Sequence, residues 1–257
     1  MDQPLQDRRI LVTGAASGIG AAAVQVFSDA GAMVAATYRK TPPPAKLTDA
    51  ATWLHCDLQL PEQADRAVAA ATAHMEGLDA VLHAAGTWLP GPAGEITEDN
   101  LDSVLANIVK ATIFVNQAAF RAMRGRGGRI INLGSAEAVM GSPISASYAS
   151  AKGAVHSWTR SAAKAWGQYG ITVNAVDPSV ETPGTQRFRD YVGEEVAEAR
   201  QKQVSQLRPV ASSLGTDMHG DPVQDLGPVL VFLASSGSRF VSGQILAVSG
   251  GLLLLGA

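Results

Sequence analysis

The sequence predicts an α/β domain with a doubly wound parallel sheet that is covered by helices on both faces. Strand-like and helix-like segments alternate from residue 8 onward, and the strand-like segments are almost continuously apolar. Strands buried on both faces have this character, whereas strands with one wet face alternate polar and apolar residues. The sequence contains no internal linker, repeat or low-complexity tract, so we expect residues 1–257 to form a single domain.

Seven short segments have the apolar character of strands. The first, "RRILVTG", ends in glycine, and the others lie between helix-like segments. The predicted strands are 8–14, 32–38, 51–57, 78–86, 128–135, 171–177 and 243–249. Because a helix-like crossover separates most neighbouring strands, we expect them to run parallel.

Five longer segments predict helices, and several of their ends carry recognised signals. Gly31 stops the first helix, Pro61 opens the second, and Gly170 ends the fourth. The third has apolar residues at helical spacing. The predicted helices are 18–31, 61–75, 98–123, 146–170 and 222–235. We also expect a mobile helical substrate lid at 184–207, within a lid segment at about 183–220.

Composition favours a compact, ordered domain over a nucleic-acid-binding or membrane protein. Hydrophobic residues make up 46% and charged residues 17%, with a net charge of -3 and a pI of about 5.9. The single cysteine, Cys56, excludes an internal disulfide and fits a reducing compartment. No apolar signal-peptide core opens the chain, and no stretch reaches the roughly 18 apolar residues of a membrane span. We therefore expect a cytoplasmic protein; the terminal "GLLLLGA" is expected to be a buried arm or a subunit contact.

The segment "TGAASGIG" (13–20) predicts a dinucleotide site between the first strand and the first helix. Glycines at 14, 18 and 20 allow a sharp turn and a close approach to a pyrophosphate. The helix N-terminus adds free N–H donors and a positive dipole end. A glycine-rich turn without a ligand is the alternative interpretation.

The end of the second strand favours NADP(H), with NAD(H) as the alternative. Many NAD sites carry a carboxylate at this position, but here Arg39 and Lys40 follow "ATY". Both cations would attract a 2′-phosphate, although they could equally be two solvated side chains. Asp57, at the end of the third strand, could accept a hydrogen bond from the adenine amino group or cap the following helix.

Several motifs occur in the order and spacing of one known family. They are "TGAASGIG", "HAAG" (83–86), Asn107 in "LANIVKA", Ser135 in "INLGS", "YASAK" (148–152), "GITVNAV" (170–176) and "VSGQILAVSGG" (241–251). On these motifs the chain resembles the short-chain dehydrogenase/reductase family over nearly its whole length, and among its members the 3-oxoacyl-carrier-protein reductases and carbonyl reductases. The resemblance implies a seven-stranded Rossmann fold.

The resemblance also implies the site residues. The implied catalytic tetrad consists of Tyr148 as general acid/base, Lys152 as its activator, Ser135 as the group that orients the carbonyl, and Asn107 as a kinked-helix residue that holds a relay water. The residues implied to bind the cofactor are Gly14, Ser17, Gly18, Ile19, Gly20, Asp57, Leu58, Ala84, Ala85, Gly86, Tyr148, Lys152, Pro178, Val180 and Thr182. The family's oligomers imply a homotetramer that pairs helices 98–123 and 146–170.

The chain departs from the family pattern at a few positions outside the tetrad. His83 and Ala84 stand where the family often has two asparagines, and Ser179 replaces a glycine after Pro178. Ser249 occupies a position that is usually acidic, and the segment 208–222 is longer than usual. The loop from Pro178 to Thr182 is one residue shorter than the family pattern, so the role of Thr182 in cofactor binding stays open.

Tyr148 and Lys152 are spaced for acid–base chemistry, although an i,i+4 surface pair is the alternative. A free tyrosine has a pKa of about 10, and an ammonium one turn away should lower it towards the working pH. Glu137, two residues after Ser135, could line the pocket or face solvent. His83 is expected to be structural, and no metal-ligand spacing is found.

The predicted function is hydride transfer between NADP(H) and a small carbonyl or secondary alcohol substrate. Trp88, Met140 and Val180 suggest an apolar pocket for a ketone or a 3-oxoacyl group. Two alternatives stay open. One is an NAD-dependent alcohol dehydrogenase, and the other is a nucleotide-binding scaffold without catalysis, which would not need Tyr148.

Overall fold

A computed structural model describes residues 3–215 and 219–254 of the chain. Seven parallel strands form one sheet in the order β3-β2-β1-β4-β5-β6-β7. The strands are β1 (Arg9–Thr13), β2 (Met33–Tyr38), β3 (Thr52–His55), β4 (Ala80–His83), β5 (Gly128–Leu133), β6 (Ile171–Pro178) and β7 (Ile245–Val248). This confirms the predicted seven-stranded parallel sheet; most observed strands are one to three residues shorter at an end.

Helices cover both faces of the sheet, as the apolar strands predicted. They are α1 (Gly18–Asp29), α2 (Pro61–His74), α3 (Glu98–Val104), α4 (Ala111–Met123), α5 (Glu137–Met140), α6 (Ala146–Trp166), α7 (Pro183–Val192), α8 (Glu194–Leu207) and α9 (Gly227–Ala234). Short 3-10 turns occupy Ala45–Ala50, Gly167–Tyr169 and Ser236–Ser238.

Each face of the sheet carries its own apolar core, and β1 shows how one strand serves both. Ile10 and Val12 point into the core formed with α1 and α9, while Leu11 points into the core formed with α2, α4 and α6. Successive side chains of a strand alternate between faces, so a continuous apolar run is what a doubly covered strand requires.

Trp166, the last residue of α6, packs in the core beside α4. Its ring stacks on Phe120 with centroids 4.8 Å apart and meets Trp158 edge to face at 5.8 Å. The two tryptophans are therefore packing residues.

The predicted helix 222–235 is the clearest error, because the observed helix α9 begins only at Gly227. The Asp221 carboxylate accepts hydrogen bonds from the backbone N–H groups of Val223 (2.7 Å) and Gln224 (2.8 Å). Asp225 accepts from the Asp221 N–H at 2.7 Å. These side-chain bonds hold a turn in place of the first helical turn.

The predicted helix 98–123 contains a π-helical segment at Leu105–Lys110, between α3 and α4. The whole span Glu98–Met123 is long and apolar enough to cross a membrane by length and composition, contrary to the expectation that no such stretch exists. Its apolar window is 44% buried, and α4 packs in the core against α2. A core helix passes the same test, so this is weak evidence for a membrane span.

The segment expected to form the lid contains α7 and α8, which are separated at Gly193 with a φ of +84°. We call it the lid segment; its mobility stays a prediction. Its predicted segment extends over residues 216–218, which lie outside the described residues. The predicted C-terminal arm is described as far as residue 254: Leu253 is buried, whereas Leu254 is 82% exposed.

The fold places the candidate site where the chain changes winding direction. β1 lies between β2 and β4, and the chain continues outward from this pair on both sides. The loops after β1 and β4 therefore part at the carboxyl edge of the sheet and leave a crevice for a ligand.

Candidate active site

One cavity of about 1070 Å³ runs along the carboxyl edge of the sheet from the glycine loop to the lid. The predicted residues that line it are Gly14, Ser17, Gly18, Ile19, Gly20, Arg39, Lys40, Asp57, Leu58, Ala84, Ala85, Gly86, Asn107, Ser135, Tyr148, Lys152, Pro178, Val180 and Thr182. The fold thus brings together all the residues that the sequence analysis assigned to the site.

The glycine loop has the close packing that a pyrophosphate cradle requires. Gly14 adopts a φ of +64°, and a Cβ there would lie 2.5 Å from the Cα of Ala85. A Cβ on Gly20 would lie 2.3 Å from the Gly14 carbonyl oxygen. Helix α1 starts at Gly18 with no side-chain cap and no acidic residue in its first turn. Its N–H groups are therefore available to an anion, and these residues fit a dinucleotide.

Arg39 and Asp57 form an ion pair at the outer end of this cradle. Arg39 Nη1 lies 3.2 Å from Asp57 Oδ1, and the two side chains are 37% and 36% exposed. The N-cap of α2 is Leu60, so Asp57 does not cap that helix; its side chain instead accepts from the Gln59 N–H at 3.1 Å. Lys40 is exposed beside Arg39.

His83 is structural, as expected. It is 2% exposed, and its Nδ1 lies 2.8 Å from the Thr13 hydroxyl across the β1–β4 pair. Burial, with a contribution from the Lys152 charge, lowers the pKa of His83 to about 3. The imidazole therefore stays neutral and ties together the two strands that flank the crevice.

Tyr148 and Lys152 lie on α6, one turn apart, next to the end of β5. Lys152 Nζ donates to the Leu133 carbonyl oxygen at 2.7 Å and lies 5.7 Å from the Tyr148 ring centroid. Ser135 follows β5 and lies near enough to Tyr148 to favour a lower pKa of the phenol. Phenol, ammonium and hydroxyl thus meet on one wall of the cavity.

The expected lowering of the Tyr148 pKa is wrong for the cofactor-free chain. Burial of the hydroxyl raises the pKa of Tyr148 well above its ordinary value, and the charge of Glu137 raises it further. Burial also lowers the pKa of Lys152 to about 8. The loss of solvation outweighs the attraction between the two side chains, because the enclosed wall solvates neither the phenolate of Tyr148 nor the ammonium of Lys152.

Asn107 lies at the π-helical segment, which confirms the expected irregularity of this helix. Its Nδ2 donates to the Ser103 carbonyl oxygen at 2.7 Å, and its Oδ1 accepts from Gln59 Nε2 at 2.8 Å. The side chain therefore faces the cofactor half of the cavity; its role in holding a relay water stays a prediction.

The segment after β6 closes the floor of the cavity. Thr182 caps α7 by accepting from the N–H groups of Gly184 (3.1 Å) and Thr185 (3.3 Å).

The two serines that depart from the family pattern have structural partners. The Ser179 hydroxyl accepts from Arg208, and the Ser249 hydroxyl accepts from the Leu253 N–H, both at 3.1 Å. Neither departure disturbs the tetrad.

Two cavity residues, Arg187 on α7 and Arg200 on α8, were not identified from the sequence. The Arg200 guanidinium lies 5.1 Å from the Phe188 ring centroid, and Phe188 meets Trp88 edge to face at 5.9 Å. Their only sequence signal was the high charge of 184–207, which does not say which residues face inward. Glu137, considered as a pocket residue, does line the cavity.

Within residues 3–215 and 219–254, no group of three or more His, Cys, Asp or Glu side chains could hold a metal ion. The site therefore consists of the glycine cradle, the Tyr148 wall and the lid, without a recognisable metal centre in the described part of the chain.

Comparison with known proteins places this fold and site in a family. The model of a family described as Enoyl-(Acyl carrier protein) reductase matches residues 14–253. The Short chain dehydrogenase mdpC of Emericella nidulans is 32% identical over 96% of each chain. The Galactitol 2-dehydrogenase of Agrobacterium fabrum is 32% identical over 96% of this chain and 98% of that protein.

A solved structure agrees with these relatives. The crystal structure of a chain described as a short-chain alcohol dehydrogenase from Sinorhizobium meliloti superposes with a TM-score of 0.87 at 29% identity, covering 98% of both chains. The chain belongs to the short-chain dehydrogenase/reductase family. It is an oxidoreductase that uses a nicotinamide cofactor and acts on an alcohol or carbonyl group of a small molecule.

Proposed function

We propose that the protein is an NADP(H)-dependent oxidoreductase that interconverts a carbonyl compound and a secondary alcohol, with Tyr148 as the general acid/base. The observation that carries this proposal is the meeting of Tyr148, Ser135 and Lys152 on one wall of a cavity that begins at the glycine cradle. A binding scaffold would need the cradle but not this wall.

The residues at the wall have complementary tasks. When bound, the nicotinamide cofactor supplies or accepts the hydride. Tyr148 donates its phenolic proton to the carbonyl oxygen in reduction and takes that proton back in oxidation. Ser135 hydrogen-bonds the same oxygen and fixes its position. Lys152 is anchored on the Leu133 carbonyl, and its remaining N–H groups would serve the ribose of a bound cofactor and the phenol.

Arg39 and Lys40 support NADP(H) as the cofactor. Arg39 is paired with Asp57 in this structure, but both side chains are over a third exposed. Exposed ion pairs are worth roughly 0–1 kcal/mol. A 2′-phosphate, which carries more charge and can accept two parallel N–H bonds, would compete well for the guanidinium.

The cofactor preference can be tested by fluorescence titration with NADPH and NADH. We expect tighter binding of NADPH, and we expect Arg39→Gln to weaken NADPH binding roughly tenfold or more while NADH changes little. Lys46→Gln is the matched control, since Lys46 is exposed and does not line the cavity. Tighter NADH binding in the wild type would contradict the NADP(H) assignment and leave the chemistry intact.

The chemistry can be tested separately with Tyr148→Phe and a panel of ketones and 3-oxoacyl thioesters. We expect cofactor binding to survive and turnover to fall by roughly 100-fold or more, because the proton donor is lost. Turnover that persists in Tyr148→Phe would contradict the assigned acid/base.

A second candidate is an NAD-dependent alcohol dehydrogenase. It is favoured by Asp57, which already neutralises Arg39, and by the 32% identity to a protein named Galactitol 2-dehydrogenase. The titration above distinguishes the two cofactors.

The assembly and location stay proposals of the same kind. We expect a cytoplasmic homotetramer that pairs the helices of 98–123 and 146–170. Gel filtration with light scattering at micromolar concentration tests the assembly, and a monomer would contradict it.

A further inference from the structure

The Glu137 carboxyl is held rigidly inside the substrate half of the cavity. Its Oε2 accepts from the Ser145 hydroxyl at 2.6 Å, and Ser145 is itself 2.6 Å from the Ser142 hydroxyl. The Glu137 backbone N–H donates to Ser135 Oγ at 3.2 Å. The carboxyl is therefore fixed two residues from the hydroxyl that orients the reacting oxygen.

The second carboxyl oxygen of Glu137, Oε1, is open to the cavity. No described residue donates a hydrogen bond of ordinary geometry to Oε1. Oε1 is also absent from the fully buried polar atoms that lack a partner, so it is not completely enclosed. Glu137 lines the cavity, so this oxygen is accessible to a bound molecule.

Trp88 supplies an unused donor next to this acceptor. The indole is 8% exposed and lines the cavity, and its Nε1 is buried without a partner among the described residues. Burial raises the pKa of the Glu137 carboxyl, and Trp88 lies near enough to oppose that rise, although no hydrogen bond of ordinary geometry joins the two side chains. A buried N–H without a partner is costly and is usually satisfied by a ligand or a water.

We propose that Glu137 and Trp88 form a hydroxyl subsite beside the reacting carbon, and that the substrates are hydroxy ketones or, in oxidation, diols. This inference rests on the proposed function. A hydroxyl group both donates and accepts, so it can donate to Glu137 Oε1 and accept from Trp88 Nε1. A carboxylate in the same place would be repelled by Glu137, and a methyl group would leave both groups unpaired.

The position of the subsite relative to Tyr148 agrees with this assignment. The Glu137 N–H donates to Ser135 Oγ at 3.2 Å, so a hydroxyl bound beside Glu137 lies near the carbon whose oxygen Ser135 orients and Tyr148 protonates. The Glu137 charge also raises the pKa of Tyr148, which agrees with this placement. A site built to hydrogen-bond a substrate hydroxyl discriminates strongly against the analogue that lacks it.

The test compares cyclohexanone with 2-hydroxycyclohexanone, and cyclohexanol with cyclohexane-1,2-diol, using the wild-type protein and its preferred cofactor. We expect kcat/KM to favour the hydroxylated member by roughly tenfold or more, mostly through KM, since the bond forms in the ground state as well. Glu137→Gln should bring the ratio close to one, and Trp88→Phe, which keeps the ring but loses the N–H, should lower it several-fold. Glu198→Gln, an exposed carboxylate of α8 outside the cavity lining, should leave the ratio unchanged.

The outcomes separate this inference from the proposed function. Equal kcat/KM values for both members of each pair, or a preference that survives Glu137→Gln, would overturn the hydroxyl subsite. Failure to convert any of the four compounds, with Tyr148→Phe indistinguishable from the wild type, would overturn the proposed function and the inference with it.

Discussion

Lys152 Nζ donates to the carbonyl oxygen of Leu133 at 2.7 Å, and this bond fixes the ammonium beside the Tyr148 ring. Because Lys152 is only 6% exposed and is not ion-paired among the described residues, its charge is poorly solvated. The chain therefore keeps a poorly solvated cation beside Tyr148, and this position should cost stability.

We predict that Lys152→Met stabilises the cofactor-free protein while reducing turnover by roughly 100-fold or more. The folded pKa of about 8 lies below the ordinary 10.5, so the folded chain releases this proton first as the pH rises. The buried ammonium therefore destabilises the fold below pH 8, and its cost disappears between pH 8 and 10.5.

Urea unfolding at neutral pH and above pH 10.5 measures this effect. The stability gain of Lys152→Met should be large at neutral pH and small at high pH. Lys164→Met, an exposed lysine on the same helix, is the control and should show neither effect. A variant that loses stability at neutral pH would mean that the bond to Leu133 outweighs the buried charge.

We predict that Tyr148 does not ionise below its ordinary pKa of 10.0 in the cofactor-free protein, because burial and Glu137 both raise its pKa. An ultraviolet difference titration of the wild type against Tyr148→Phe should show no additional tyrosinate below that pH. Adding the oxidised cofactor brings a cationic ring next to the phenol, which should move the transition to lower pH. A tyrosinate signal at neutral pH without cofactor would contradict this account.

The contact between Arg9 and Asp79 provides a prediction about stability at the opposite edge of the sheet. Arg9 donates to both oxygens of Asp79, at 2.7 and 2.8 Å, and the Arg9 backbone N–H donates at 3.0 Å. Although burial opposes it, this contact holds the pKa of Asp79 below 3.8. We expect Asp79→Asn to lower the free energy of unfolding by roughly 1–3 kcal/mol at neutral pH.

The sign of the pH dependence follows from the lowered pKa of Asp79. Its contribution is complete above the unfolded value of 3.8 and is lost as the pH falls through the folded value. The wild type and Asp79→Asn should therefore become equally stable in acid. Asp65→Asn is the control, since Asp65 and Arg121 form an exposed pair that should contribute under roughly 1 kcal/mol.

The sequence was enough to bring the candidate site residues together, because these residues follow strand ends at regular intervals. Gly14 follows β1, Gly86 lies just beyond β4, and Ser135 lies just beyond β5. In a parallel sheet those ends share one edge, so assigning the strands was enough to bring the residues together. The i,i+4 spacing of Tyr148 and Lys152 then fixed their relation on one helix face.

Other features depend on burial and long-range contacts that no local pattern carries. The raised pKa of Tyr148 results from the enclosing wall, which the sequence does not reveal. Arg187 and Arg200 become cavity residues only because α7 and α8 fold over the site. The late start of α9 depends on Asp221 and Asp225, whose side chains compete with the helix for backbone N–H groups.

Glu137 and Arg187 should shift the pH dependence of alcohol oxidation in opposite directions. Under the proposed mechanism, oxidation needs the phenolate of Tyr148, so we expect its rate to rise with pH up to the pKa of that group. Besides burial, Glu137 and Asp177 raise this pKa, whereas Ser135 and Arg187 lower it. Glu137→Gln should therefore move the ascending limb of the kcat profile to lower pH, and Arg187→Gln should move it to higher pH.

The measurement is the pH profile of kcat for cyclohexanol with saturating cofactor, because this alcohol lacks the hydroxyl assigned to the subsite. Glu198→Gln is the control, because it removes an exposed carboxylate of α8 outside the cavity lining, and it should leave the pH profile unchanged. If both variants moved the limb in the same direction, a general loosening of the lid would explain the result better than charge. Opposite shifts would show that Tyr148 is the titrating group and that both side chains act on it electrostatically.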